Sequence, residues 1–129
     1  GHRQEAVAAA TITPGMLLKM DNTGKLAAHS TAKGYATPRF AVEDDLNGEE
    51  ITHDYLVNDY VQAEILYSGC EVLAFIEASG TAVAIGDHLE SAGDGSLQKW
   101  TDGVAIAEAL EAVDNSGGGS MARIKVRIL

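Results

Sequence analysis

Cysteine occurs once in the 129-residue chain, as Cys70, so neither an intrachain disulfide framework nor a cysteine-based zinc cluster is available. Aromatic side chains are scarce: Tyr35, Phe40, Tyr55, Tyr60, Tyr67, Phe75 and Trp100 make up the whole set. No apolar run approaches the roughly 20 residues of a membrane-spanning helix. No charged start followed by an apolar stretch reads as a secretory signal. The chain opens on Gly1 rather than Met, which reads as a processed, trimmed or tag-derived start. Basic residues are few, nine Lys and Arg against nineteen Asp and Glu, for a net charge of −10. That balance speaks against nucleic acid as a partner, because phosphate recognition needs clustered Lys and Arg.

What is abundant is small. Ala and Gly contribute 20 and 14 residues. An Ala buries far less surface than a Leu or Phe, so the core gains less per residue, and part of the stability is expected to come from a partner or from further copies of the chain. The charge is also unevenly placed. Residues 40–122 hold seventeen acids and one base, Lys99, while both ends are basic. Two readings stay open: the basic ends meet an acidic partner surface, or they pair with the acidic middle of their own chain.

The chain resembles itself. Ile12–His29 aligns without a gap on Val83–Trp100, matching Gly15 to Gly86, Leu18 to Leu89, Gly24 to Gly95 and Leu26 to Leu97. Each copy reads as a glycine turn, a short strand, a second glycine turn and a second strand. Tyr60–Leu66 and Cys70–Ile76 read as β-rich runs joined into a hairpin by Tyr67-Ser68-Gly69. Ala122, Ile124, Val126 and Ile128 alternate with Arg123, Lys125 and Arg127, which describes a half-buried strand with a basic outer face. Val104–Val113 is built of helix formers, yet the repeat, slipped by two residues after Trp100, sets it opposite Tyr35–Glu43 and favours a strand. Asn115–Ser120 reads as a flexible loop. The fold class is therefore all-β, in a single domain.

Catalytic and metal chemistry finds little support. The acidic stretch Glu43–Asp54 lacks the alternating D-x-D-x-D-G spacing of a calcium loop and reads as a solvated loop. The histidines His2, His29, His53 and His88 form no H-x-H or H-x-x-x-H pair. His53 beside Asp54 would need Cys70 within reach to act as a nucleophile site, and nothing in the sequence brings it there. There is no G-x-S-x-G elbow. The glycine turns lead into strands, not into a helix N-terminus that would cradle phosphate. No catalytic, metal or cofactor residue is assigned, and the chain is not expected to be an enzyme.

The order of motifs points to a family. Ile12-Thr13-Pro14-Gly15 is followed by Tyr67-Ser68-Gly69-Cys70-Glu71-Val72 and Ala84-Ile85-Gly86-Asp87-His88-Leu89. Then come Ala109-Leu110-Glu111-Ala112-Val113-Asp114 and the closing Arg123–Ile128. From about Ile12 onward this resembles the small capsid decoration (cement) proteins of tailed bacteriophages. The resemblance implies a compact, β-barrel-like (β-tulip) domain over residues 11–129 with an N-terminal arm over 1–10, assembled as a homotrimer on the outer capsid surface at three-fold sites, clamping the major capsid protein lattice in a virion after synthesis in the host cytoplasm. It implies no catalysis and no membrane. It also implies that the N-terminal arm reaches the capsid, which marks His2, Arg3, Gln4, Glu5, Ala6 and Val7 as capsid-binding candidates. The competing reading of that segment is a first strand of the domain's own barrel. A carbohydrate- or receptor-binding β module is the alternative function, and clustered exposed aromatics would mark it.

Overall fold

Glycines at positive φ set the chain's corners. Gly15 (φ 105°), Gly24 (82°), Gly86 (90°) and Gly95 (86°) occupy the left-handed region where any side chain is strained, and each turns the chain between two short strands. The computed structural model describes residues 1–44 and 50–129. Among them every regular element is a strand: β1 (His2–Val7), β2 (Leu18–Met20), β3 (Leu26–Ala28), β4 (Arg39–Ala41), β5 (Tyr60–Ile65), β6 (Glu71–Ile76), β7 (His88–Ser91), β8 (Leu97–Lys99), β9 (Ala105–Ala109) and β10 (Ala122–Ile128). The all-β expectation holds, and Val104–Val113 contributes the strand β9.

Among the described residues the internal repeat extends beyond the aligned segments to all ten strands. The hairpin β2–β3 pairs Leu18 with Ala28 and Met20 with Leu26; the hairpin β7–β8 pairs Leu89 with Lys99 and Ser91 with Leu97, in the same register. β4 and β5 pair Ala41 with Ala63 and Phe40 with Glu64, as β9 and β10 pair Ala109 with Val126 and Glu108 with Arg127. β1 lies antiparallel on β5, with Arg3 opposite Glu64 and Val7 opposite Tyr60. β6 lies in the same way on β10, with Glu71 opposite Arg127 and Phe75 opposite Arg123. A parallel contact completes each circuit, Ala8 to Leu26 in the first repeat and Ile76 to Leu97 in the second. β6–β10 form a closed barrel in the order β10-β6-β8-β7-β9. β1–β5 follow the same circuit more loosely, as the sheet β1-β5-β4 and the hairpin β2–β3 joined by the single bridges Ala8–Leu26 and Leu17–Phe40.

Three expectations need correction. Tyr67-Ser68-Gly69 does make a tight turn, with the Cys70 amide donating to the Tyr67 carbonyl at 3.0 Å. Yet β5 and β6 do not pair, because each already has partners inside its own repeat. The turn links the two repeats and closes no hairpin. The register slip after Trp100 is three residues, since Glu108 takes the place of Phe40. In addition, Asn115–Ser120 is tied down: the Asn115 side-chain amide donates to the carbonyls of Glu77 and Ser120, both at 2.9 Å.

Each repeat fills its barrel with matching residues. Leu18, Leu26, Val61 and Ala63 in the first correspond to Leu89, Leu97, Ile124 and Val126 in the second, all buried. Burying a Leu or Val side chain fully is worth about 1.5–3 kcal/mol. The cores are joined because Leu17 and Phe40, which point out of the first barrel, pack into the cluster of the second. Their counterparts there are His88 and Glu108.

Candidate functional site

β1 carries all six capsid-binding candidates. Alternation along the strand leaves His2, Arg3 and Glu5 exposed, with Gln4, Ala6 and Val7 half-buried. Cross-strand polar contacts fix them. Arg3 lies 3.6 Å from the Glu64 carboxylate, Arg39 Nε donates to Gln4 Oε1 at 2.8 Å, and Gln62 Nε2 donates to the Glu5 carboxylate. The segment is thus a strand of the chain's own sheet on one side. On its other side, among the described residues, it meets β3 at the Ala8–Leu26 bridge and pairs with no further strand, so most of that edge lacks a strand partner.

The basic ends mostly find partners within the chain. Arg127 bridges Glu71 at 3.3 Å and Glu108 at 3.5 Å. Arg123 donates to the carbonyls of Pro14 and Ile51, both at 2.9 Å, and lies over the Phe75 ring at 4.5 Å. The outer face of β10 therefore serves as internal bracing, with Lys125 its one exposed cation among the described residues.

A fully buried carboxylate organises the seam between the repeats. Glu90 accepts from Gln98 Nε2 at 2.6 Å, from the amides of Thr101 at 3.2 Å and Gly103 at 3.0 Å, and from the Thr101 hydroxyl at 3.3 Å. Burial pushes this carboxyl up, but the four hydrogen bonds outweigh it and hold Glu90 below the usual glutamate range. The ordered 101–103 loop then meets the first repeat. The Val104 amide donates to the Lys33 carbonyl at 2.9 Å, and Lys33 Nζ lies 2.8 Å from Asp102. Hydrogen bonding to Asp102 raises the Lys33 pKa and lowers that of Asp102. Buried His29 adds a side-chain link across the seam, 2.7 Å from the Ser91 hydroxyl.

The residues weighed for catalysis lie apart. His53 and Asp54 line a cleft of about 340 Å³ with Asp44, Tyr55, Asn58 and Tyr60, and Cys70 is not on its wall. Cys70 instead packs beside the core at the head of β6, 4.0 Å from the Gly1 amino group. Among the described residues no group of three or more His, Cys, Asp or Glu could hold a metal ion. Residues 45–49 of the acidic stretch lie outside the described residues. The exposed rings of Tyr35, Tyr60 and Trp100 each line a different cleft. Among the apolar features sequence reasoning missed is a cleft of about 210 Å³ lined by Tyr35, Pro38, Val104, Ile106 and Leu129. Its walls come from both repeats, so no local pattern announces it.

No family model matches the chain, and no curated protein matches its sequence. Among solved structures it is similar to the crystal structure of the head fiber gp8.5 N base in bacteriophage phi29, with a TM-score of 0.64 at 14% identity. The match covers 98% of this chain and 92% of that one. At this identity the likeness establishes a shared fold.

Proposed function

We propose that this chain is a structural protein of a tailed-phage virion that sits on the outer surface of the capsid and adds mechanical strength to its shell. The supporting observation is the fold shared along nearly the whole chain with a phage head-fiber base. The light, alanine-rich core and the acidic composition suit a small accessory subunit. In the finer reading the protein assembles as a homotrimer at three-fold positions and clamps the major capsid protein, after synthesis in the host cytoplasm. Holding a lattice requires interface area and avidity, not a reactive centre.

Within this reading β1 is the capsid-facing element. Strand addition along its unpaired edge supplies backbone hydrogen bonds with little demand on sequence, and Arg3 and Glu5 supply charge at its exposed face beside the polar ring of His2. The test is co-sedimentation with expanded and unexpanded capsids. Preferential capture by expanded capsids, weakened by Arg3→Glu in a protein with unchanged thermal stability, supports the proposal. Absence of capture by either form overturns it. Deleting Gly1–Glu5 is a poorer test, because it also removes most of one of the two strands that pair with β5.

A further inference from the structure

We infer that the chain carries a self-association interface in which the second repeat of one copy docks on the first repeat of the next, repeating the contact the two repeats make inside the chain. The proposal deepens the self-association part of the function proposed above, and it stands on the internal duplication rather than on any capsid contact.

The contact between the repeats runs one way. The first repeat offers the 13–17 turn and His29. The Gly15 carbonyl accepts from the Phe75 amide at 3.3 Å, and Arg123 holds the Pro14 carbonyl. Beside them Leu17 N donates to the Gly95 carbonyl at 2.8 Å, Gly95 N donates to the His29 carbonyl at 3.1 Å, and His29 reaches Ser91. The receiving face is thus the Phe75–Arg123 pair, Ser91 and the Gly95 turn of the second repeat.

Each face has a twin in the other repeat, and both twins are open. The counterpart of Pro14 is Ile85, 71% exposed, and the counterpart of His29 is Trp100, 43% exposed. On the receiving side, Arg123 corresponds to Tyr60 and Ser91 to Met20, which are 64% and 40% exposed. A methyl group added at Gly15 or Gly95 would touch the other repeat at 3.1–3.3 Å, whereas at Gly86 or Gly24 it would meet nothing within 4 Å. The exposure differences at these matched positions follow one rule: a position is covered where the other repeat reaches it and bare where none does.

The occupant of both open faces is a second copy of this chain, because the shape that fits each one is already present in the molecule. The Ile85–Trp100 face is built on the same turn and hairpin as the face that fills the second repeat. The Tyr60–Met20 face is built on the same strand pairing as the face that receives it. Large apolar side chains stand on both, including the aromatic and methionine types enriched in protein interfaces. Such a contact is heterologous: every added copy presents one further face of each kind, so assembly proceeds until a ring closes or a filament forms.

The test uses the full chain in light scattering and analytical ultracentrifugation up to about 1 mM, the weak end of the affinity scale. Wild-type protein is expected to exceed monomer mass as concentration rises. Ile85→Asp and Tyr60→Asp, both at exposed sites, are each expected to weaken self-association at least tenfold with thermal unfolding unchanged, and Trp100→Ala serves as a milder check on the same face. Mixing the two Asp variants is diagnostic. The Tyr60→Asp copy keeps an intact Ile85 face, the Ile85→Asp copy keeps an intact Tyr60 face, and the mixture is expected to stop at heterodimers. A wild type that stays monomeric throughout, Asp variants that associate as the wild type does, or a mixture that stays monomeric overturns the interface. Capsid co-sedimentation is scored separately: association without capsid capture overturns the capsid reading and leaves this one standing, and capture by a strictly monomeric protein does the reverse.

Discussion

Lys19 and Glu90 hold the same place in their repeats, the middle of the first hairpin strand, and have opposite fates. Lys19 is exposed and donates to the Ser30 hydroxyl at 2.8 Å, while Glu90 is sealed under a loop that it orders. The same divergence runs through the pair of barrels. The parallel seam is a single pair in both, but the second barrel closes through several β7–β9 pairs where the first, among the described residues, has only the Leu17–Phe40 bridge and lends Leu17 and Phe40 to its neighbour's core. One strand plan thus tolerates two chemistries, because the plan is fixed by barrel-facing leucines and turn glycines while the outward positions were free to specialise.

The hardest way to break that comparison is to hollow out each barrel at the same point. Leu26 and Leu97 are both fully buried. Truncation to Ala is expected to cost about 2–5 kcal/mol at each, with Leu97→Ala at the upper end because its cavity opens in the shared core cluster. Urea unfolding of the two variants measures the difference; a larger loss from Leu26→Ala would reverse the ranking of the barrels.

Next in size is the polar seam. Glu90→Ala leaves the Gln98 amide and two backbone N–H groups without their acceptor, for an expected loss of about 1–3 kcal/mol, whereas Lys19→Ala is expected to stay within about 0.5 kcal/mol. The pH dependence follows from the direction of the shift. Because the folded state holds Glu90 below its ordinary value, its stabilising contribution is complete above the unfolded-state pKa and is lost as pH falls through the lower folded value. Glu90→Gln is therefore expected to unfold with a shallower acid limb than the wild type in pH-dependent melts.

The turn glycines give the smallest contrast. Gly24→Ala pays only for a left-handed backbone, about 1–2 kcal/mol. Gly95→Ala adds contacts at 3.1 Å with Ala28 and 3.2 Å with Met16, so its melting temperature should fall further. Equal losses would mean that the seam can give way at no cost.

Part of this was legible in the sequence. The Ile12–His29 and Val83–Trp100 match was visible because barrel-facing leucines and positive-φ glycines leave identities at fixed spacing. The remainder of the duplication was not, because strand register leaves none: Arg3 opposite Glu64 and Glu71 opposite Arg127 make the same cross-strand ion pair with the charges exchanged. For the same reason Tyr67-Ser68-Gly69 read as a hairpin, since a turn records a change of direction and not which strands pair beyond it. The β1 candidates could be named but not placed, and the Ile85 and Tyr60 faces have meaning only once their covered twins are known.

The link between the repeats has one more consequence. The Gly1 amino group lies 4.0 Å from Cys70 Sγ, and the Ser68 hydroxyl donates to the Leu129 carbonyl at 2.7 Å, so both chain ends and the repeat junction meet at one corner. The order in which the barrels are spelled is then arbitrary. A circular permutant that starts at Gly69, ends at Ser68 and joins 129 to 1 through a short linker is expected to fold with the native circular dichroism spectrum, since the cut falls in an exposed turn. Any cargo grafted at Gly1 or at Leu129 would be displayed from that same corner.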